Sequence, residues 1–145
     1  MPLVRKSVIV PHTCATMFAL VDRVEDYPLF LPWCSRVELL ERTSQVTAAR
    51  LHVEYHGLST TIATRNSKRP VERMDLTLLE GPFESSRGAW SFLPLGEDGC
   101  RVEFQLDYTL AGSAFGALLQ PVFGHIAATL VDSFVARAAA AEGSP

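Results

Sequence analysis

Residues 101–110 alternate without a break. Val102, Phe104, Leu106, Tyr108 and Leu110 take every second position, and Arg101, Glu103, Gln105, Asp107 and Thr109 take those between. Successive side chains of a strand point to opposite faces, so this segment puts one face on a core and one in water. A parallel sheet covered on both sides would need both sets apolar, so the pattern demands an antiparallel sheet with a single covered face. The period then changes. Phe115, Leu118, Leu119, Val122, Ile126, Leu130 and Phe134 fall on one helical stripe.

The rest of the chain supplies the sheet. Residues 3–10 are β-branched and close with Pro11; Thr13 is placed to cap a short helix carrying Met17, Leu20, Val21 and Val24. The stretch 27–34, YPLFLPWC, has two prolines and leaves room for one helical turn. Strands are expected over 36–42, 45–55, 57–66, 71–80 and 86–94, with turns at 66–70, at Gly81-Pro82 and at 96–99. A helix over 122–140 rises about 28 Å and a ten-residue strand about 34 Å, so one helix can cover the sheet. Pro121 would clash with the carbonyl of Ala117, so a kink or restart is expected there. The expectation is an α+β domain over 1–140. It has seven antiparallel strands curved around a long C-terminal helix, with one short helix and a helical turn between strands 1 and 2. Residues 141–145 would form a disordered tail.

Composition narrows the function classes. With 13 Lys and Arg against 16 Asp and Glu, the net charge is −3. Nucleic-acid affinity comes mainly from phosphate neutralisation, so no DNA partner is expected and any RNA contact would be a local patch. The apolar fraction of 48% excludes intrinsic disorder. No apolar run nears the ~18 residues of a membrane span, so nothing is expected to span a bilayer, and no leader is read. The odd cysteines, Cys14, Cys34 and Cys100, are no disulfide framework and fit a reducing cytoplasm. His52 and His56 lie roughly 13 Å apart on a strand, too far to share a metal. No glycine-rich phosphate loop, nucleophile elbow or acid–base pair stands out, so no catalytic residue, metal or cofactor is expected.

Two features invite a ligand. Tyr27, Phe30, Leu31 and Trp33 lie in an uncharged aromatic stretch that serves as a plug at one end of the sheet, as the rim of a cavity, or as both. Trp90, Phe92, Phe104 and Tyr108 share one face as core or pocket wall, with Gly88 leaving space beside them for backbone or ligand. Phe83, Phe123, Ile126 and Leu130 complete the expected lining. Arg65, Lys68, Arg69 and Arg73 are the densest basic cluster, either a solvated hairpin tip or a phosphate and RNA contact.

Several motifs carry a resemblance. Leu20-Val21-Asp22, YPLFLPWC at 27–34, Thr64-Arg65-Asn66, Gly81-Pro82-Phe83, GAWSF at 88–92 and FVARA at 134–138 together resemble the START-like family of coenzyme Q-binding proteins and bacterial ribosome-association toxins. The likeness runs from about Val4 to Ala138. It implies a helix-grip fold with a hydrophobic tunnel between sheet and helix. Of function it implies three readings: a non-enzymatic carrier of a hydrophobic molecule, ubiquinone being the best guess, in support of respiration; a toxin that binds the large ribosomal subunit and blocks subunit joining; or a cyclase/dehydrase-type enzyme. A cytoplasmic protein with peripheral membrane contact is expected. Leu58-Ser59-Thr60-Thr61 and Glu84-Ser85-Ser86 stand where the family carries more positive charge, which weakens the RNA surface more than the tunnel.

Overall fold

In the computed structural model, which describes residues 3–142, the chain runs β1 (Leu3–Val10), α1 (Cys14–Asp22), a 3-10 turn (Val24–Leu29), β2 (Cys34–Arg42), β3 (Val46–Tyr55), β4 (Leu58–Arg69), β5 (Arg73–Glu80), β6 (Phe83–Leu95), β7 (Gly99–Leu110) and α2 (Ala114–Glu142). The strands form one antiparallel sheet in the order β1-β7-β6-β5-β4-β3-β2. Consecutive hairpins build β2 to β7, and β1 closes the row beside β7. This is the expected seven-stranded sheet with its long helix.

Local chemistry fixes the ends. Thr13 Oγ1 accepts from Thr16 N at 3.1 Å and starts α1. His56 and Gly57, with φ of 49° and 80°, make the two-residue turn between β3 and β4. Positive φ at both central positions matches the twist of the flanking strands. Two strands outrun their expected ends. β4 continues through Asn66 to Arg69, because Asn66 and Lys68 point at the core side instead of capping a turn. β6 reaches Leu95 despite Pro94, which lies at the strand end where one lost donor matters least.

The covered face carries Val102, Phe104, Tyr108, Trp90, Phe92 and Met74, all buried. α2 lies along β7, β1 and α1 and contributes Leu119, Val122, Phe123, Ile126, Val131 and Phe134. Three expectations about this helix are corrected. It does not restart at Pro121: the helix is continuous from Ala114 to Glu142, although the proline supplies no N–H to the ladder. Phe115 and Leu118 are 43% and 58% exposed: they share the stripe's angular position, so the first turn overhangs the core. Finally, Ala114–Ala140 is long and apolar enough to cross a membrane by length and composition alone. No charged residue interrupts 108–131, although glycine, glutamine and proline do, so a search for unbroken apolar runs passes over it. The helix backbone continues two residues past the expected boundary at 140, and residues 143–145 of the expected tail lie outside the described residues.

Candidate functional site

The aromatic residues singled out by the sequence divide into two clusters. Phe134 lies edge-on to Tyr27, Phe30 and Trp90 at 5.2 to 5.3 Å between ring centres. Trp90 in turn touches Phe92 and Phe104. Tyr27, Leu31 and Trp33 are buried, so this stretch plugs one end of the sheet; Leu29, 69% exposed, and Pro32 project from it. The Tyr27 hydroxyl donates to the Val21 carbonyl, and burial pushes its pKa well above the usual range. Phe30 is half-buried, with the Arg137 guanidinium 5.3 Å above its ring. The second cluster joins Phe83 to Tyr108 and to Phe123, 5.0 Å away. On the inner side of α2, Ile126 is buried and Leu130 is half-buried. Gly88 leaves room for backbone: a Cβ there would meet the Gln105 carbonyl at 3.1 Å.

Between these clusters lies a region the sequence does not single out. The helix-facing side chains of β3, β4 and β5 include Leu51, Ile62, Leu76 and Leu78, which are only half-buried. α2 reaches this side at its edges, where His125 stacks on Tyr55 at 5.2 Å and Phe123 meets Phe83. These half-buried side chains and the aromatic pairs beside them outline a candidate cleft. The alternation of β3 to β5 shows which residues face inward; only the path of the helix shows which of them it fails to cover.

The inner end of the cleft is polar. Along β4, Thr64, Asn66 and Lys68 face the helix side. Thr64 Oγ1 donates to Asn66 Oδ1 at 3.0 Å. Lys68 Nζ donates to Asp22 Oδ2 at 3.1 Å, and Thr47 Oγ1 donates to Asp22 Oδ1 at 2.7 Å. Arg42 donates to the Asp22 carbonyl at 2.8 Å and grips the Glu25 carboxylate with both terminal nitrogens. That bidentate hydrogen bond holds Glu25 well below the usual carboxylate range, at about 2.

The opposite face of the sheet is polar. Arg50 lies between Glu38 (3.1 Å) and Glu80 (2.8 Å), and His52 lies 3.2 Å from Glu38. Grooves of about 510 and 550 Å³ open here, one between Arg5, Arg73, Arg87 and Glu103 and one between Arg36, His52 and Ser59. The expected four-residue basic patch does not assemble. Lys68 points to the core side and is bound to Asp22, because successive strand residues alternate faces. Arg65, Arg69 and Arg73 share the outer face; Arg65 lies 3.6 Å from Glu41 and Arg73 2.9 Å from Asp75.

Among the described residues no group of three metal-ligating side chains converges. The Cys14 and Cys100 thiols, far apart in sequence, meet at 2.7 Å; both are free and buried. Burial pushes the Cys100 thiol up to about 12 and the Cys34 thiol up to about 11. Such thiols stay protonated and are weak nucleophiles.

Residues 10–135 match the family described as polyketide cyclase / dehydrase and lipid transport. The chain belongs to this family. A relative from Pseudomonas aeruginosa, named ribosome association toxin RatA, is 37% identical over 93% of this chain and 94% of its own length. Another, named coenzyme Q-binding protein coq10, mitochondrial, from Schizosaccharomyces pombe, is 26% identical over 92% of this chain and 85% of its own. Among solved structures, the Zhui aromatase/cyclase from Streptomyces sp. R1128 superposes with a TM-score of 0.82 at 18% identity, covering 94% of this chain and 93% of that one. At that identity the likeness concerns the fold alone, the START-like grip of a curved antiparallel sheet on a long C-terminal helix.

Proposed function

We propose that this family member binds a hydrophobic small molecule in the cleft between β3–β5 and α2 and carries it without chemical change, in the cytoplasm, with ubiquinone the leading candidate. The observation that carries this reading is the row Leu51, Ile62, Leu76 and Leu78, which faces the helix yet remains half-open. Apolar side chains left uncovered beside an otherwise buried core leave hydrophobic stabilisation unused, and an apolar ligand would supply it. The relative named for coenzyme Q binding supports the ligand class. The ionisable groups at the inner end are tied into ion pairs, an arrangement suited to holding shape and less to moving protons. Each CH₂-sized unit of a prenyl tail contributes about 0.8 kcal/mol on burial. A long-tailed quinone should therefore quench the fluorescence of Trp33 or Trp90 at far lower concentration than a short-tailed one. Equal affinity for the two would remove the carrier reading.

A second reading is association with the large ribosomal subunit. It is favoured by the 37% identity, over nearly its full length, to a relative named for ribosome association; the large subunit is the finer part of the proposal. On this reading Arg65, Arg69 and Arg73, which share the outer face, would meet phosphates.

A further inference from the structure

We propose that Asn66 is the polar anchor of the cleft, donating its amide N–H to a carbonyl oxygen on the head group of the bound molecule. The ligand class is then an apolar tail bearing a ring ketone or quinone. The inference rests on the carrier reading and adds an orientation and a head-group chemistry to it.

Asn66 is 5% exposed, and its side chain makes one hydrogen bond, accepted by Oδ1 from Thr64. Among the described residues the amide nitrogen has no hydrogen-bond partner, and it is not one of the fully buried unpaired atoms. Such a donor is left to water in the free protein and is open to an acceptor on a ligand. The surroundings point it into the cleft. Asn66 pairs in register with Leu76 on one side and Thr47 on the other, both on the helix-facing side. Beyond Thr64 the same strand face continues through Ile62 toward the mouth at Tyr55 and His125. A head group at Asn66 therefore leaves its tail to run outward over the apolar row.

Its neighbours explain why a carbonyl suits the place. Lys68, next along the same face, is already bound to Asp22, and Thr47 donates to the same carboxylate. The acid is satisfied, so no second anion or cation is called for. What remains is a neutral donor beside a neutralised pair, which a neutral acceptor fits.

Two probes of like shape test this: 2-decyl-1,4-benzoquinone, and decylbenzene, which lacks the oxygens. Binding to the full chain is measured by calorimetry for wild type, Asn66→Leu and Asn66→Ala. The alanine removes the donor without adding bulk or charge, so it serves if the leucine variant fails to fold. Both variants should lose about tenfold in affinity for the quinone and stay within about twofold for decylbenzene, the change expected for one buried donor. A purely structural role would lower both affinities together, and that result overturns the proposal. Unchanged quinone affinity in the variants overturns it too, while leaving the carrier reading intact. If wild type binds neither probe, the carrier reading falls and the anchor with it. A readout independent of any variant is the infrared carbonyl stretch of the quinone bound to wild type. It should lie below its position in hexane; an unshifted band would rule out the donor.

Discussion

Lys68 Nζ lies 3.1 Å from Asp22 Oδ2, across 46 residues of sequence, and the lysine side chain is only 5% exposed. The ion pair ties the end of α1 to the C-terminal end of β4. Asp22 is held by its other oxygen as well, through Thr47, and its carbonyl is held by Arg42. A lysine that reads in the sequence as part of a basic surface is thus the bolt that positions the short helix over the sheet.

Breaking this pair from one side should be expensive. Lys68→Met leaves Asp22 charged and short of a partner; with Asp22 still 19% exposed, about 3 kcal/mol is expected, the low end for a buried pair. A double-mutant cycle with Asp22→Asn, followed by urea unfolding, isolates the pair. A coupling above about 1 kcal/mol is expected. Additive losses would show that the pair stabilises nothing.

The neighbouring pair gives a pH signature. The Arg42 hydrogen bond lowers Glu25 from 4.5 to about 2 in the folded chain. A depressed carboxylate contributes stability that is complete above its unfolded pKa and is lost as pH falls through the folded one. The gap in unfolding free energy between wild type and Arg42→Met should therefore be constant from pH 7 to about pH 5 and shrink toward pH 2. The glutamate is 40% exposed, so the effect is modest and weaker at high salt. A gap that does not change with pH would assign the destabilisation to packing instead.

Much of the fold is legible in the sequence, for identifiable reasons. Strict alternation at 101–110 leaves one register, and the Gly81-Pro82 turn and the Thr13 cap are local chemistry. The tryptophans and phenylalanines declare a core through their spacing. The cleft is not legible, because Leu51, Ile62, Leu76 and Leu78 look the same in sequence whether a helix covers them or passes beside them. Lys68 and Asn66 mislead for a related reason: polar residues before Pro70 resemble a turn until strand parity turns both inward. The meeting of Cys14 with Cys100 depends on the pairing of β1 with β7, which no local pattern encodes.

Phe134 tests the gripped helix. It is 1% exposed and touches Tyr27, Phe30 and Trp90, so Phe134→Ala opens a cavity at the centre of the larger aromatic cluster. A destabilisation of about 3–5 kcal/mol is expected. For a chain of this size that corresponds to a Tm lowered by roughly 10 °C or more. A drop below about 2 °C in calorimetry would contradict the central packing of this ring.

The ribosome reading makes a separate prediction, with its residues chosen by the face they share. Arg65, Arg69 and Arg73 stand together on the outer side of β4 and β5, while Lys68 belongs to the interior. A variant carrying Arg65→Glu, Arg69→Glu and Arg73→Glu should still fold, since exposed charge changes usually cost within about 0.5 kcal/mol each. It should also keep its ligand, because these side chains point away from the cleft. If phosphates are met here, wild type should co-sediment with isolated large subunits at low salt and the variant should not. Each phosphate no longer neutralised should flatten the dependence of log affinity on log salt by about one unit. Equal sedimentation of the two proteins would move the binding surface elsewhere on the molecule. Wild type that stays at the top of the gradient even at low salt would end the ribosome reading for this chain. Lys68→Glu must not enter such a variant: reversing that charge would set two carboxylates against each other beneath α1, and failure to bind the ribosome could not be told from failure to fold.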